Sequence, residues 1–216
     1  MARNTATSQR ITGTLLADLS YPCTLHCWSQ APNLASTGVP LFVVNAANPA
    51  PNFLGFQYRG GDANDPVYAY YCATGNFQPV DSDPGYSFSA GTWIPMSFTI
   101  TSQTNYSLYA AGNKFTSTTS GNTPVSNRLL IIGAYTDGTY QGWLDDDVAM
   151  NAVWDAVLTD DEIYGIHKGI SPRRVRPQSL VFYAPLVRNV QDISRNGITL
   201  TDTGTTSSDH PRAYGA

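Results

Sequence analysis

Apolar and polar positions alternate in short runs along this chain, and turn residues separate the runs. The runs are 10–19 (RITGTLLADL), 23–30 (CTLHCWSQ), 40–46, 52–60, 66–75, 91–101, 106–115, 128–135 and 142–158. In 23–30, Thr24, His26 and Trp28 alternate with Cys23, Leu25 and Cys27. A period of two places alternate side chains on opposite faces of a strand. Many such runs at short spacing predict two facing antiparallel sheets. Leu25, Trp93, Phe98, Ile100, Leu130, Ile132 and Trp154 are the expected contributors to the core between them.

One stretch breaks the period. Thr159-Asp160-Asp161-Glu162 has the form of a capping box, with Leu158 and Ile163 placed as a hydrophobic staple. The acidic residues suit the positive end of a helix dipole, and His167 and Lys168 suit the other end. Gly169 fits the position just past the helix, and Pro172 stops any continuation. A short helix over about 159–168 follows. After it comes a Pro- and Arg-rich connector, 171–179.

The last segment, 180–216, begins LVFYAPLVRNVQDISRNG. A strand is expected over 180–187, with Val181 and Tyr183 on one face and Phe182 and Ala184 on the other. Pro185 has no amide donor, so the strand should end there or lie at an edge. Asp192 should cap a turn through Ser194, with Gly197 at positive φ.

Composition narrows the function classes. Of the 216 residues, 42% are hydrophobic and 13% charged, which excludes a disordered chain. The net charge of −4 argues against a nucleic-acid partner. No apolar run approaches the roughly 18 residues of a membrane span, so no membrane insertion is expected. The opening MARNTATSQR has no apolar core, so no export signal is expected there. Cys23 and Cys27 stand about 13 Å apart along a strand, too far for a disulfide. All three cysteines are expected to be reduced core residues.

The motifs TWIPMSFTI, SLYAAGNKF, LLIIGAYTDGTYQGW and AVWDAVLTDDEI, in this order, resemble the concanavalin A-like, laminin-G-type jelly roll. The residues that carry the resemblance are Trp93, Tyr109, Gly112, Gly133, Gly142, Trp154, Leu158, Glu162 and Ile163. The resemblance covers roughly 10–170 and implies an all-β, concanavalin A-like sandwich with one short helix. The expected organisation is a jelly roll over 1–170, the connector 171–179, and C-terminal strands with a terminal arm over 180–216. LVFYAPLV with its Asp-x-Ser-x-Asn-Gly turn looks like the family's opening strand, here at the other end of the chain. It is read as a permuted strand filling its own sheet, as the start of a second repeat, or as a strand lent to a neighbour.

The tail is similar to tails of such domains in bacteriophage-encoded proteins. That likeness implies a noncatalytic virion structural or decoration protein of a capsid or tail, acting through oligomerisation. Its expected partners are other virion proteins and further copies of itself, and its expected location is the virion. The alternative is a carbohydrate-binding module that attaches to surface glycans.

Candidate chemistry is sparse. The family's glucanases carry Glu-x-Asp-x-x-Glu, whereas this chain has one glutamate, Glu162, already used as a helix cap. Asp145, Asp146 and Asp147 are the only substitute, with Asp145 and Asp147 expected on one face. No Gly-x-Ser-x-Gly elbow is present, and His26, His167 and His210 are scattered. No catalytic residue and no cofactor are expected. The resemblance raises Ca²⁺, and Asp81-Ser82-Asp83 and Asp62-Ala63-Asn64-Asp65 hold suitable ligand types, but both are also ordinary turn sequences. For glycan binding, Tyr135, Asp137, Tyr140 and Trp143 combine rings that stack on sugars with a polar group, and the VYAYY strand offers Tyr68 and Tyr70 on one face with Tyr71 on the other; the alternative is that these tyrosines fill the core or a subunit interface. For subunit contacts, Arg173, Arg174, Arg176, His210, Arg212 and Tyr214 are the candidates.

Overall fold

In the computed structural model, residues 2–6, 8–30, 37–45, 52–59, 67–73, 76–81, 88–118, 127–136 and 139–210 are described. The described strands are β1 (Ala2–Asn4), β2 (Arg10–Leu19), β3 (Cys23–Gln30), β4 (Thr37–Gly38), β5 (Leu41–Asn45), β6 (Phe53–Arg59), β7 (Val67–Ala73), β8 (Asn76–Asp81) and β9 (Trp93–Ser102). They continue with β10 (Asn105–Ala110), β11 (Asn113–Ser117), β12 (Asn127–Ile132), β13 (Tyr135–Thr136), β14 (Tyr140–Gln141), β15 (Asp147–Trp154), β16 (Leu180–Ala184), β17 (Leu200–Thr203) and β18 (Thr206–Ser208). The helix α1 spans Asp160–His167.

These strands form two antiparallel sheets. The first runs β11-β10-β9-β3-β15-β1-β18, with β16 also on β15. The second runs β17-β2-β12-β5-β6-β7-β8, with β4 also on β6. Alternation fills the space between them. Cys23, Leu25 and Cys27 of β3 and Met96, Phe98 and Ile100 of β9 meet Leu41, Val43, Leu54, Phe56, Leu130 and Ile132 of the second sheet. Phe56 meets Phe98 edge-on, with ring centroids 6.4 Å apart.

Trp93 and Trp154, expected in this core, lie instead on the outer face of the first sheet. There Trp154 is buried with Ile163, Ile166 and Leu180, and Trp93 packs on the same cluster. Trp93 stands five residues before Phe98 in an unbroken strand, so alternation itself turns it outward, whereas for Trp154 alternation separates two faces without saying which one meets the other sheet. The three cysteines are buried thiols outside any disulfide.

The helix forms as its sequence dictates. Thr159 Oγ1 accepts from the Glu162 amide, and Glu162 accepts from the Thr159 amide at 2.7 Å. Leu158 and Ile163 are both buried beneath it. Gly169 follows at φ +97°.

The segment from Leu180 onward completes both sheets of its own molecule. β16 pairs with β15, β17 with β2, and β18 with β1. β1 and β16 lie end to end along one edge of β15, against 147–148 and 151–154 respectively. The strand stops at Ala184, before Pro185.

Phe182 and Ala184 enter the core and Tyr183 faces outward. Val181 departs from expectation, because it packs toward the inter-sheet core rather than beside Tyr183. The pairing slips between Val153 and Trp154, which face Phe182 and Leu180, so Val181 is the extra residue of a bulge.

Asp192 organises the loop behind this strand. Its buried carboxylate accepts from the amides of Tyr183 (2.9 Å), Ser194 (2.9 Å) and Ile198 (2.8 Å), and from the Ser194 hydroxyl (2.9 Å). Asn196 Nδ2 donates to the Val181 carbonyl, and Gly197 turns at φ +55°. Asp, Ser, Asn and Gly therefore each have a distinct task in the turn.

Candidate functional site

The outer faces of the two sheets carry different chemistry. On the first sheet, α1 lies over a polar seam. Thr24 Oγ1 donates to the Ala156 carbonyl and accepts from the Leu158 amide, which fixes the link into the helix. Tyr109 Oη and Lys114 Nζ both donate to Asp160, at 2.7 and 2.9 Å. These two donors hold the Asp160 carboxyl below the usual carboxylate range, Lys114 contributing most.

Within that seam the fold joins residues the sequence kept about 70 positions apart. His26 Nδ1 and His167 Nε2 each lie 2.9 Å from Ser97 Oγ, with the imidazole centroids 5.6 Å apart. One serine hydroxyl donates to one ring and accepts from the other, which fits two neutral imidazoles. Burial, and secondarily the neighbouring His167, pushes His26 well below the ordinary imidazole value, against a smaller upward pull from the Met96 carbonyl. Burial alone takes His167 down to about 3. Ser97 is 1% exposed and, among the described residues, no carboxylate bonds to either ring, so the trio packs the helix onto the sheet and offers a substrate no access. No motif marks it in the sequence. Only the outward phase of His26, shared with Ser97, points to it.

The three aspartates serve the turn into β15. Asp145 is exposed at φ +55°, so alternation begins only at Asp147 and the expected shared face does not form. Asp147 is buried and accepts from Asn4 Nδ2 at 3.1 Å. Asp146 accepts from the Asp147 amide, while burial pushes its carboxyl up. Among the described residues, no three His, Cys, Asp or Glu side chains cluster as a metal site requires. Asp62, Asn64, Asp65 and Asp83 lie outside the described residues.

The second sheet carries an aromatic layer on its outside. Phe42, Phe53, Tyr70 and Ile131 are buried in it, and Tyr68, Tyr135 and Trp143 pack against it half-buried. The ring of Phe42 stacks on Phe53 at 4.9 Å and tilts against Tyr135 at 5.8 Å. Glycines make this possible. A methyl group at Gly55 would overlap the Phe42 ring and the Leu41 carbonyl, and one at Gly142 would meet the Tyr135 ring at 2.5 Å. Tyr68 and Tyr70 stack with planes 12° apart and centroids 5.6 Å apart. Arg59 lies 5.3 Å over the Tyr68 ring and donates to Tyr70 Oη at 2.9 Å. Gln57 faces Tyr68 across the ladder, and Gln141 faces Tyr135.

The structure thus brings Tyr135 and Trp143 onto one layer. The side chain of Tyr140 and all of Asp137 lie outside the described residues, as do Arg212 and Tyr214. Tyr68 and Tyr70 share the outer face, as the period-two phase of VYAYY predicts, whereas no motif marks Arg59 or Gln57 for this site.

The remaining contact candidates divide. Arg173 and Arg174 are exposed. Arg176 is turned inward, where it donates to Glu162 Oε1 at 2.8 Å and to the Val157 carbonyl at 3.0 Å, and so latches the connector to the helix start. His210 Nε2 lies 3.2 Å from the Pro185 carbonyl.

A family model for the concanavalin A-like lectin/glucanases superfamily matches residues 4–164. The chain belongs to this superfamily. No curated protein sequence matches it. Among solved structures, a heptameric SAP-like pentraxin from Limulus polyphemus superposes with a TM-score of 0.62 at 12% identity, covering 94% of each chain. The CBM40 of Ruminococcus gnavus IT-sialidase, bound to α2,3 sialyllactose, gives 0.58 at 14% identity, over 77% of this chain and 98% of that one. Domains LG4-5 of mouse laminin α1 give 0.53 at 14% identity, over 70% of this chain and 40% of that one. At these identities the likeness is one of fold.

Proposed function

We propose that this chain is a noncatalytic carbohydrate-binding module. The observation that carries the reading is the aromatic layer outside the second sheet, with Tyr68, Tyr135 and Trp143 half-buried at its rim and Gln57, Arg59 and Gln141 among them. Rings stack on the apolar faces of sugars, and amide and guanidinium groups bond hydroxyls. The CBM40 likeness supports the reading, as does the burial of Ser97 and the use of Glu162 in a cap. A glycan array followed by calorimetry tests it. The expected result is saccharide binding that weakens about tenfold, or about 1.4 kcal/mol, in Trp143→Ala. An array with no bound glycan, or full affinity in Trp143→Ala and Tyr68→Ala alike, overturns it.

A second reading keeps the expected virion role, with oligomerisation as the working principle. Its support is the likeness to a heptameric pentraxin over nearly the whole chain. Light scattering in line with gel filtration tests it. A closed ring of fixed copy number agrees with it, and a monomer at all concentrations excludes it.

A further inference from the structure

We propose that a groove beside β16 is a second binding site, which takes an acidic saccharide through its carboxylate or sulfate. The groove lies between the 3-10 turn Pro172–Arg174 and the 185–193 loop, and holds about 660 Å³, within the range of small-ligand clefts. Arg173, Arg174 and Arg188 all line it, and no carboxylate does among the described residues. Elsewhere several cations face a carboxylate. Lys114 faces Asp160, Arg128 faces Asp18, Arg176 faces Glu162 and Arg195 faces Asp155. In a protein of net charge −4, three arginines gathered without a carboxylate leave a positive hollow that an oxyanion would fill.

The walls are fixed before any ligand arrives. The 3-10 turn is closed by Arg174 N to Ser171 O at 2.9 Å, and Trp154 Nε1 holds the Val175 carbonyl at 2.9 Å. On the other wall, Leu186 and Arg188 adopt left-handed backbone, at φ +61° and +69°. Such conformations cost energy in residues with side chains and persist where their surroundings impose them. Here the Met150 amide and His210 hold the Pro185 carbonyl, Leu186 is buried, and Arg3 Nη2 donates to the Arg188 carbonyl. The strained loop therefore presents the Arg188 guanidinium from a rigid base, which spares a ligand the ordering cost.

The rest of the lining indicates a saccharide body. Val187 and Ile193 give apolar surface above the buried Tyr183, and Asn189 and Gln191 give amides suited to hydroxyls. The overall negative charge disfavours a long polyanion such as nucleic acid. This ligand assignment rests on the saccharide reading only for the body of the ligand, and the charge requirement stands without it.

Titration calorimetry of the full chain with lactose 3′-sulfate against lactose, and cellobiouronic acid against cellobiose, tests the site. Each acidic probe should bind at least about tenfold tighter than its neutral counterpart, a preference weakened by salt. The triple variant R173Q/R174Q/R188Q should abolish the preference without lowering the melting temperature. Trp143→Ala should leave the preference intact, so failure of the aromatic site and failure of the groove are told apart. Equal affinity for acidic and neutral probes, no acidic binding up to about 10 mM, or an unchanged preference in the triple variant overturns the proposal. Inorganic sulfate binding as tightly as the sulfated sugar overturns the saccharide assignment.

Discussion

The two sheets of this sandwich are alike between their facing surfaces and unlike outside. The outer face of the first is covered by α1, by the connector and by Tyr183, and the polar groups beneath α1 answer one another within the chain, with the groove beside β16 at its margin. The outer face of the second is a layer of rings supported by glycines, with half-buried aromatics at its rim. Where polar residues on a strand meet internal partners, the face has become structure. Where rings end half-buried beside amides and a guanidinium, the face remains able to meet a ligand.

The sharpest way to break this contrast is to uncover the first sheet. Truncation after residue 178 removes β16, β17 and β18. Leu180, Phe182 and Tyr183 are each almost fully buried, and at about 2 kcal/mol per large side chain their loss alone rivals the stability of a typical domain. The shortened chain is expected in the insoluble fraction, and recovery of a soluble protein with native circular dichroism would refute this. Asp192→Ala should act less strongly. It leaves three backbone amides without their acceptor, at a cost of about 3 kcal/mol and a Tm drop on the order of 10 °C, readable by calorimetry.

Acid probes the polar seam. His26 and His167 are neutral in the folded protein at pH values where the unfolded chain is protonated. The stability they contribute is present above about pH 6.5 and is lost as the pH falls below it, for His167 at about 1.4 kcal/mol per pH unit down to about 3 and for His26 in the same direction. Urea denaturation at pH 7 and pH 5 should show the loss, and His167→Gln should flatten the slope. The smallest effect on stability is expected on the second sheet. Tyr68→Ala should cost about 1 kcal/mol, since the ring is half-buried, while glycan affinity falls. A melting-temperature drop as large as that of Asp192→Ala would mean that the aromatic layer is core and that the contrast is false.

Local chemistry was legible in the sequence, and pairing over distance was not. The capping box at Thr159 and Glu162 and the turn at Asp192, Ser194 and Gly197 form as read, because each depends on residues a few positions apart. The phase of β3, and of Phe98 and Ile100 in β9, was right for the same reason. Trp93 was legible, because with Phe98 and Ile100 inward a period of two turns it outward, but the role of Trp154 was not, because a period of two does not name the inward face of β15. Nor was the His26–Ser97–His167 contact, which three separate elements create. Arg176 read as a partner contact because a cluster of arginines hides which one turns inward, and only the position of Glu162 decides it.

The end-to-end arrangement of β1 and β16 along β15 has a consequence during synthesis. When β15 leaves the ribosome, β1 already covers the 147–148 end of its edge, but 151–154 stays bare until Leu180–Ala184 follows. The outer edge of β2 waits longer still, for Leu200–Thr203. The nascent chain therefore carries two open strand edges late into translation, and open edges invite pairing with other chains. Slow decoding between codons 155 and 200 should thus favour aggregation over yield, even though the finished protein presents neither edge.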